Sequence, residues 1–200
     1  MKRDLLIMFR HSFLFILLIL LSSGFVTASK TVNVPNGNPV MIDGRCDPAE
    51  WKDAAELPAA ENYRLLFKKN QEYVYICIDS AKESNFMMDL YLSPDAKRGY
   101  TLHASAKLGE QMMKDGKWTD FTTDWDWWNV HGWTANTRRL NSPKEPRFLP
   151  NKSIEYQLSR EHFGGRDWRV MFDFLGLEKP LIFPGNGDKL SFDTWIMLKL

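Results

Sequence analysis

Residues 86–92 read Phe86-Met87-Met88-Asp89-Leu90-Tyr91-Leu92, and residues 101–108 read Thr101-Leu102-His103-Ala104-Ser105-Ala106-Lys107-Leu108. Successive strand residues point to opposite faces of a sheet. The spacing therefore turns Phe86, Met88, Leu90 and Leu92 inward, leaving Met87, Asp89 and Tyr91 on the other face. In the second stretch Leu102, Ala104, Ala106 and Leu108 turn inward, and Thr101, His103, Ser105 and Lys107 outward. Trp168, Val170, Phe172 and Phe174 form another such face, as do Phe192, Thr194, Ile196 and Leu198, and, more briefly, Ile154, Tyr156 and Leu158. Tyr73-Val74-Tyr75-Ile76-Cys77-Ile78 is almost continuously apolar or aromatic, which predicts a central strand covered on both faces. Asn70-Gln71-Glu72 joins it to Tyr63–Lys69 as a hairpin.

No helix-period run exceeds two or three turns. Asp47 can cap a short helical segment over Pro48–Ala55 with proline at its first position, Trp51 plugging one end of the core. Several short alternating strands with turns between them predict an all-β fold, a two-sheet antiparallel β-sandwich of jelly-roll type. Gly109–Pro150 breaks the pattern. Only Trp133–Leu140 there resembles a strand, and the segment is expected to be a long Trp-rich loop of the kind that carries function on a β scaffold.

The amino end carries Lys2, Arg3 and Arg10, an apolar run from Phe13 to Leu21, and Val26-Thr27-Ala28 at a signal-peptidase position. The run is shorter than the roughly 20 residues a spanning helix needs. Residues 1–28 are expected to be a cleaved export signal, and residues 29–200 one domain, secreted or periplasmic. Removing the signal turns the formal net charge from +1 to −1. No basic patch of the kind nucleic acid or anionic membrane requires stands out. Two cysteines, Cys46 and Cys77, are expected to form a disulfide in an oxidising compartment; the alternative is two separate buried thiols.

Ile42-Asp43-Gly44-Arg45-Cys46-Asp47-Pro48-Ala49-Glu50-Trp51, followed by Ala54-Ala55 and later by Glu72-Tyr73-Val74-Tyr75-Ile76, resembles the opening of carbohydrate-binding modules of family 9 and the wider DOMON-like group. The resemblance covers about a third of the exported chain. It implies a β-sandwich, a sugar or haem ligand, and calcium as a structural ion. No ligand-contacting residue of that family aligns to a position here.

The sharpest chemical feature is independent of that resemblance. Five of the eight tryptophans (Trp118, Trp125, Trp127, Trp128 and Trp133) fall within sixteen positions, interleaved with Asp120, Asp124, Asp126, Asn129, His131 and Asn136. Arg138 and Arg139 follow. Sugar rings present apolar faces and a rim of hydroxyls, so they need flat aromatic platforms beside carboxylate, amide and guanidinium groups. The outward face of the middle strands adds Asp89, Tyr91, His103 and Ser105, with Asp193 and Trp195 as further candidates.

Ser, His and Asp together suggest a hydrolytic triad. Ser105 stands two residues from His103 in a strand, however, without a nucleophile elbow. The set is therefore expected to be a hydrogen-bonded sheet face able to floor a cleft. Asp124, Asp126 and Glu155 can be paired on paper as glycosidase carboxylates. Met87, Met88, Met112, Met113 and His103 are available to haem, but methionine in an apolar strand usually fills a core. Asp43, Asp47 and Asp79 are the calcium candidates, and Asn151-Lys152-Ser153 is a glycosylation sequon.

The expectation is an exported, non-catalytic protein binding an oligo- or polysaccharide without a cofactor. Trp118, Trp125, Trp127, Trp128 and Trp133 would hold the glycan, with His103, Asp89 and Arg138 as hydrogen-bonding groups. A glycan-processing envelope enzyme and a structural β-sandwich with buried aromatics are the alternatives.

Overall fold

The structure, a computed structural model, describes residues 30–60, 62–105, 108–122, 132–136 and 150–200. The proposed signal therefore lies outside the described residues. Thirteen strands are present in that set: β1 (Thr31–Asn33), β2 (Ala55–Ala60), β3 (Tyr63–Lys69), β4 (Tyr73–Ser84), β5 (Met87–Ser93), β6 (Tyr100–Ala104), β7 (Leu108–Lys114), β8 (Lys117–Trp118), β9 (Gly132–Asn136), β10 (Asn151–Ser159), β11 (Asp167–Leu175), β12 (Leu181–Phe183) and β13 (Ile196–Lys199). One short helix, α1 (Arg160–Phe163), follows β10, and a 3-10 turn spans Phe192–Thr194.

The strands form two sheets. The larger runs β1-β13-β11-β5-β6-β7-β8, with β12 also paired to β11, and the smaller runs β2-β3-β4-β10-β9. Every pairing is antiparallel except β1 with β13. The core between the sheets is built from the inward sets read in the sequence. Met88, Leu90, Leu92, Leu102, Ala104, Trp168, Val170, Phe172 and Phe174 face Leu65, Phe67, Val74, Ile76, Ile78, Ile154, Tyr156 and Leu158. Burying each large apolar side chain contributes about 1.5–3 kcal/mol, so this layer dominates the stability of the sandwich. Pro58, which cannot donate to a ladder, sits on the edge strand β2 at a register shift.

The strand β4 is covered on both faces, as its composition predicts, but by different partners. Its Val74, Ile76 and Ile78 enter the main core, while Tyr75 and Cys77 join Val40, Cys46, Trp51 and Leu66 in a second cluster. Trp51 thus lies on the outer face of the smaller sheet rather than at an end of the main core. It covers the Cys46–Cys77 disulfide, whose Cα atoms are 5.9 Å apart. Asp47 does cap the next residues, accepting from the Ala49 N–H on its carboxylate and from the Glu50 and Trp51 N–H groups on its carbonyl. The result is one hydrogen-bonded turn, because β2 takes over at Ala55.

Two further expectations change. Gly109–Pro150 is not loop throughout: Leu108–Lys114 is a strand, returning through Asp115-Gly116 to β8. Both turn residues have positive φ, 51° and 74°, which suits a two-residue hairpin and is the conformation that Asp-Gly favours. Phe192 does not share the inward face of Ile196 and Leu198. It packs on the outside against Trp195.

Candidate functional site

The registers of the larger sheet line up one polar row across its outer face. Asp173 of β11 stands opposite Asp89 of β5, Asp89 opposite His103 of β6, and His103 opposite Gly109 of β7. Two carboxylates facing each other repel, and each is met by a basic partner. His103 Nδ1 lies 2.6 Å from Asp89 Oδ1, and Lys189 Nζ lies 2.7 Å from Asp173 Oδ2. His103 Nε2 in turn lies 2.8 Å from Ser105 Oγ. A carboxylate only accepts hydrogen bonds, so Nδ1 must donate to Asp89. In a neutral ring Nε2 then accepts the Ser105 hydroxyl proton. The strand period puts Ser105 and His103 on one face, and the β5–β6 register supplies the acid.

The space beside this chain of hydrogen bonds is set by Gly109. With no side chain opposite His103, it lets the Phe121 ring close in; a Cβ there would stand 3.0 Å from that ring. Phe121 meets the His103 imidazole edge to face, with centroids 5.9 Å apart, and remains 46% exposed. Thr122 is bridged to Glu110 of β7 through both backbone groups. Phe121 and Thr122 therefore stand at the border of the Asp89–His103–Ser105 group.

The neighbouring row is aromatic. Tyr91 contacts Trp118 at 5.4 Å and Trp195 at 5.9 Å, both edge to face, and Met171 completes the buried cluster. Lys189 ties the two rows together, its ammonium 5.2 Å from the Tyr91 ring centre. Burial pushes the Tyr91 hydroxyl above its usual range. Burial alone would lower Lys189, but the hydrogen bond to Asp173 and the contact with Tyr91 outweigh it and hold the ammonium above its ordinary value.

The expected site residues are distributed unequally. His103 and Asp89 are joined directly. Trp118 is half-buried against Tyr91, with its indole N–H donating to the Lys189 carbonyl, so it walls the face. Trp133 stands on β9, opposite Gln157 at the edge of the smaller sheet. Trp125, Trp127, Trp128 and Arg138 lie outside the described residues, as do Asp124 and Asp126. Of the further candidates, Trp195 is fully buried, and Asp193 is exposed beside Arg169.

Glu155, considered above as half of a carboxylate pair, has another task. It is fully buried under the opening segment and accepts four hydrogen bonds. The Asp43 and Gly44 N–H groups bind Oε2, and the Cys46 N–H and Trp51 indole bind Oε1. Burial pushes its carboxyl upward, and the four donors pull part of the way back. Ser153 adds a hydrogen bond to the Gly44 carbonyl. The Asp-Gly…Trp motif is thus a structural clasp on β10. Nothing in the alternation of β10 distinguishes Glu155 from an outward, solvated residue; the cue was the turn of bare N–H groups at Asp43–Cys46, which needs an acceptor.

Each calcium candidate has a partner within the protein. Asp43 accepts from the Arg45 N–H, Asp47 from the Ala49 N–H, and Asp79 pairs with Arg64 at 2.9 Å. Among the described residues, no group of three or more His, Cys, Asp and Glu side chains is arranged to hold a metal ion. For haem, both ring nitrogens of His103 are already engaged, and Met88 is packed in the core. Asn151 and Ser153 of the sequon are both about 1% exposed, which places the acceptor amide inside the sheet. Among the described residues, no helix is long and apolar enough to cross a membrane.

No protein-family model matches the chain, and no curated protein matches it. The family 9 resemblance of the opening segment is therefore not carried into membership. Among solved structures, a candidate carbohydrate-binding protein from Bacteroides uniformis ATCC 8492 shares the fold, with a TM-score of 0.57 over 86% of this chain and 99% of that one. At 10% identity, the likeness is one of architecture: a β-sandwich.

Proposed function

We propose that this chain is an exported β-sandwich that binds an oligo- or polysaccharide on the outer face of its larger sheet. One observation carries the reading: Asp89, His103 and Ser105 form an ordered hydrogen-bonding group beside the exposed Phe121 ring. A glycan would stack on Phe121 and on Trp118, Trp125, Trp127 and Trp128, and hydrogen-bond to the Asp89–His103–Ser105 group and Arg138. This pairing of apolar platform and polar rim is what sugar rings require. The Bacteroides protein of the same architecture is described as a candidate carbohydrate binder, which supports the choice of ligand class. The disulfide fits an oxidising compartment and supports export.

The test is isothermal titration of residues 29–200 against a panel of neutral and acidic oligosaccharides, with Phe121→Ala and His103→Ala alongside. Loss of one stacking platform should weaken binding roughly tenfold, or about 1.4 kcal/mol. Binding that survives both substitutions unchanged would move the site off this face.

A further inference from the structure

We propose that the Asp89–His103–Ser105 group is a nucleophilic relay and that the protein hydrolyses small acyl esters at Ser105. The connectivity of the three side chains points to this role whether or not a glycan binds. The three side chains are linked acid to Nδ1 and Nε2 to hydroxyl, at 2.6 Å and 2.8 Å. A buried carboxylate on Nδ1 fixes the imidazole as the tautomer whose Nε2 lone pair faces the serine, which is how a weak hydroxyl nucleophile is activated. Ser105 is buried, with 8% of its surface exposed, and the His103 side chain is 20% exposed. Phe121 covers one side of the imidazole and offers an apolar surface to an acyl group.

In the reaction, Ser105 Oγ adds to the ester carbonyl carbon and its proton passes to His103 Nε2. The carbon–oxygen bond to the alcohol then breaks, and the departing alkoxide takes that proton. Water attacks the acyl-serine and gives a proton to Nε2. Collapse of this adduct releases the acid and returns the proton to Ser105 Oγ. Asp89 holds the ring and stabilises the imidazolium throughout.

The described residues assign no oxyanion donor, and loss of one such donor slows acyl transfer by about 10²–10³-fold. Trapping is therefore a more decisive readout than turnover. The experiment treats residues 29–200 with a fluorophosphonate probe and maps the adduct by mass spectrometry, with p-nitrophenyl acetate hydrolysis followed in parallel. The expected result is stoichiometric labelling at Ser105, and labelling and hydrolysis that fall by roughly 10²-fold or more in His103→Ala. Asp89→Asn should slow labelling while leaving the fold intact by circular dichroism. A folded protein that takes no label at Ser105, or labels equally fast without His103, overturns the proposal. Because the probes are not sugars, that failure is separate from failure of the glycan reading.

Discussion

Replacing Glu155 asks how much of the fold hangs on a single buried carboxylate. Its two oxygens satisfy three backbone N–H groups and the Trp51 indole, and these hold the 43–51 segment over the disulfide. In Glu155→Gln one oxygen becomes an NH₂ group, so two donors lose their acceptor whichever way the amide turns. Each unsatisfied buried donor costs about 1–3 kcal/mol. Part of that is offset, because burial already disfavours the charge and pushes the carboxyl upward. The net loss should be about 2 kcal/mol, or roughly 4–8 °C in Tm for a chain of this size.

Glu155→Leu strands all four donors and should cost about 4 kcal/mol, roughly 8–16 °C. Thermal unfolding followed by circular dichroism at pH 7 measures both. A Leu variant within about 0.5 kcal/mol of the parent, the range of an ordinary surface change, would refute the clasp.

Removing the disulfide with Cys46→Ser and Cys77→Ser frees a loop of sequence separation 31 and should cost about 3–4 kcal/mol in urea unfolding. Lys189 and Tyr91 both titrate above their ordinary values, 10.5 and 10.0, when folded. Their contribution is therefore complete at neutral pH and lost as pH rises through the folded values. The parent should lose stability from about pH 10.5 upward, more steeply than Lys189→Met, and parallel curves would contradict the Asp173–Lys189–Tyr91 contact. Gly116→Val places a β-branched residue at φ 74° and should destabilise the β7–β8 hairpin by about 1–2 kcal/mol, read by hydrogen exchange of its amides.

The sandwich was legible because one face of each long strand is almost free of polar side chains. Met88-x-Leu90-x-Leu92 and Trp168-x-Val170-x-Phe172-x-Phe174 allow no other assignment of inside and outside. The same period placed Asp89, His103 and Ser105 on one face. What it could not supply was register: alternation fixes which way His103 points, but only strand pairing sets Asp89 opposite it. The strand β7 was missed because Gly109, Glu110 and Gln111 are poor strand residues. Its hairpin signal, Asp115-Gly116, was nonetheless present. Glu155 was hidden for a deeper reason, since a carboxylate in an alternating strand resembles a solvated one until the covering segment is known. Phe121 carried no periodic signal and became visible only through the gap that Gly109 leaves.

We propose that a glycan binds the outer face of the larger sheet with help from the Trp-rich segment. Titrating residues 29–200 with an oligosaccharide panel while following intrinsic tryptophan fluorescence tests it most directly, beside Trp127→Ala and His103→Ala. Binding on this face should give a saturable change with one glycan class that is lost in Trp127→Ala and weakened roughly tenfold or more in His103→Ala. No change with any glycan, in a protein shown to be folded, would contradict it.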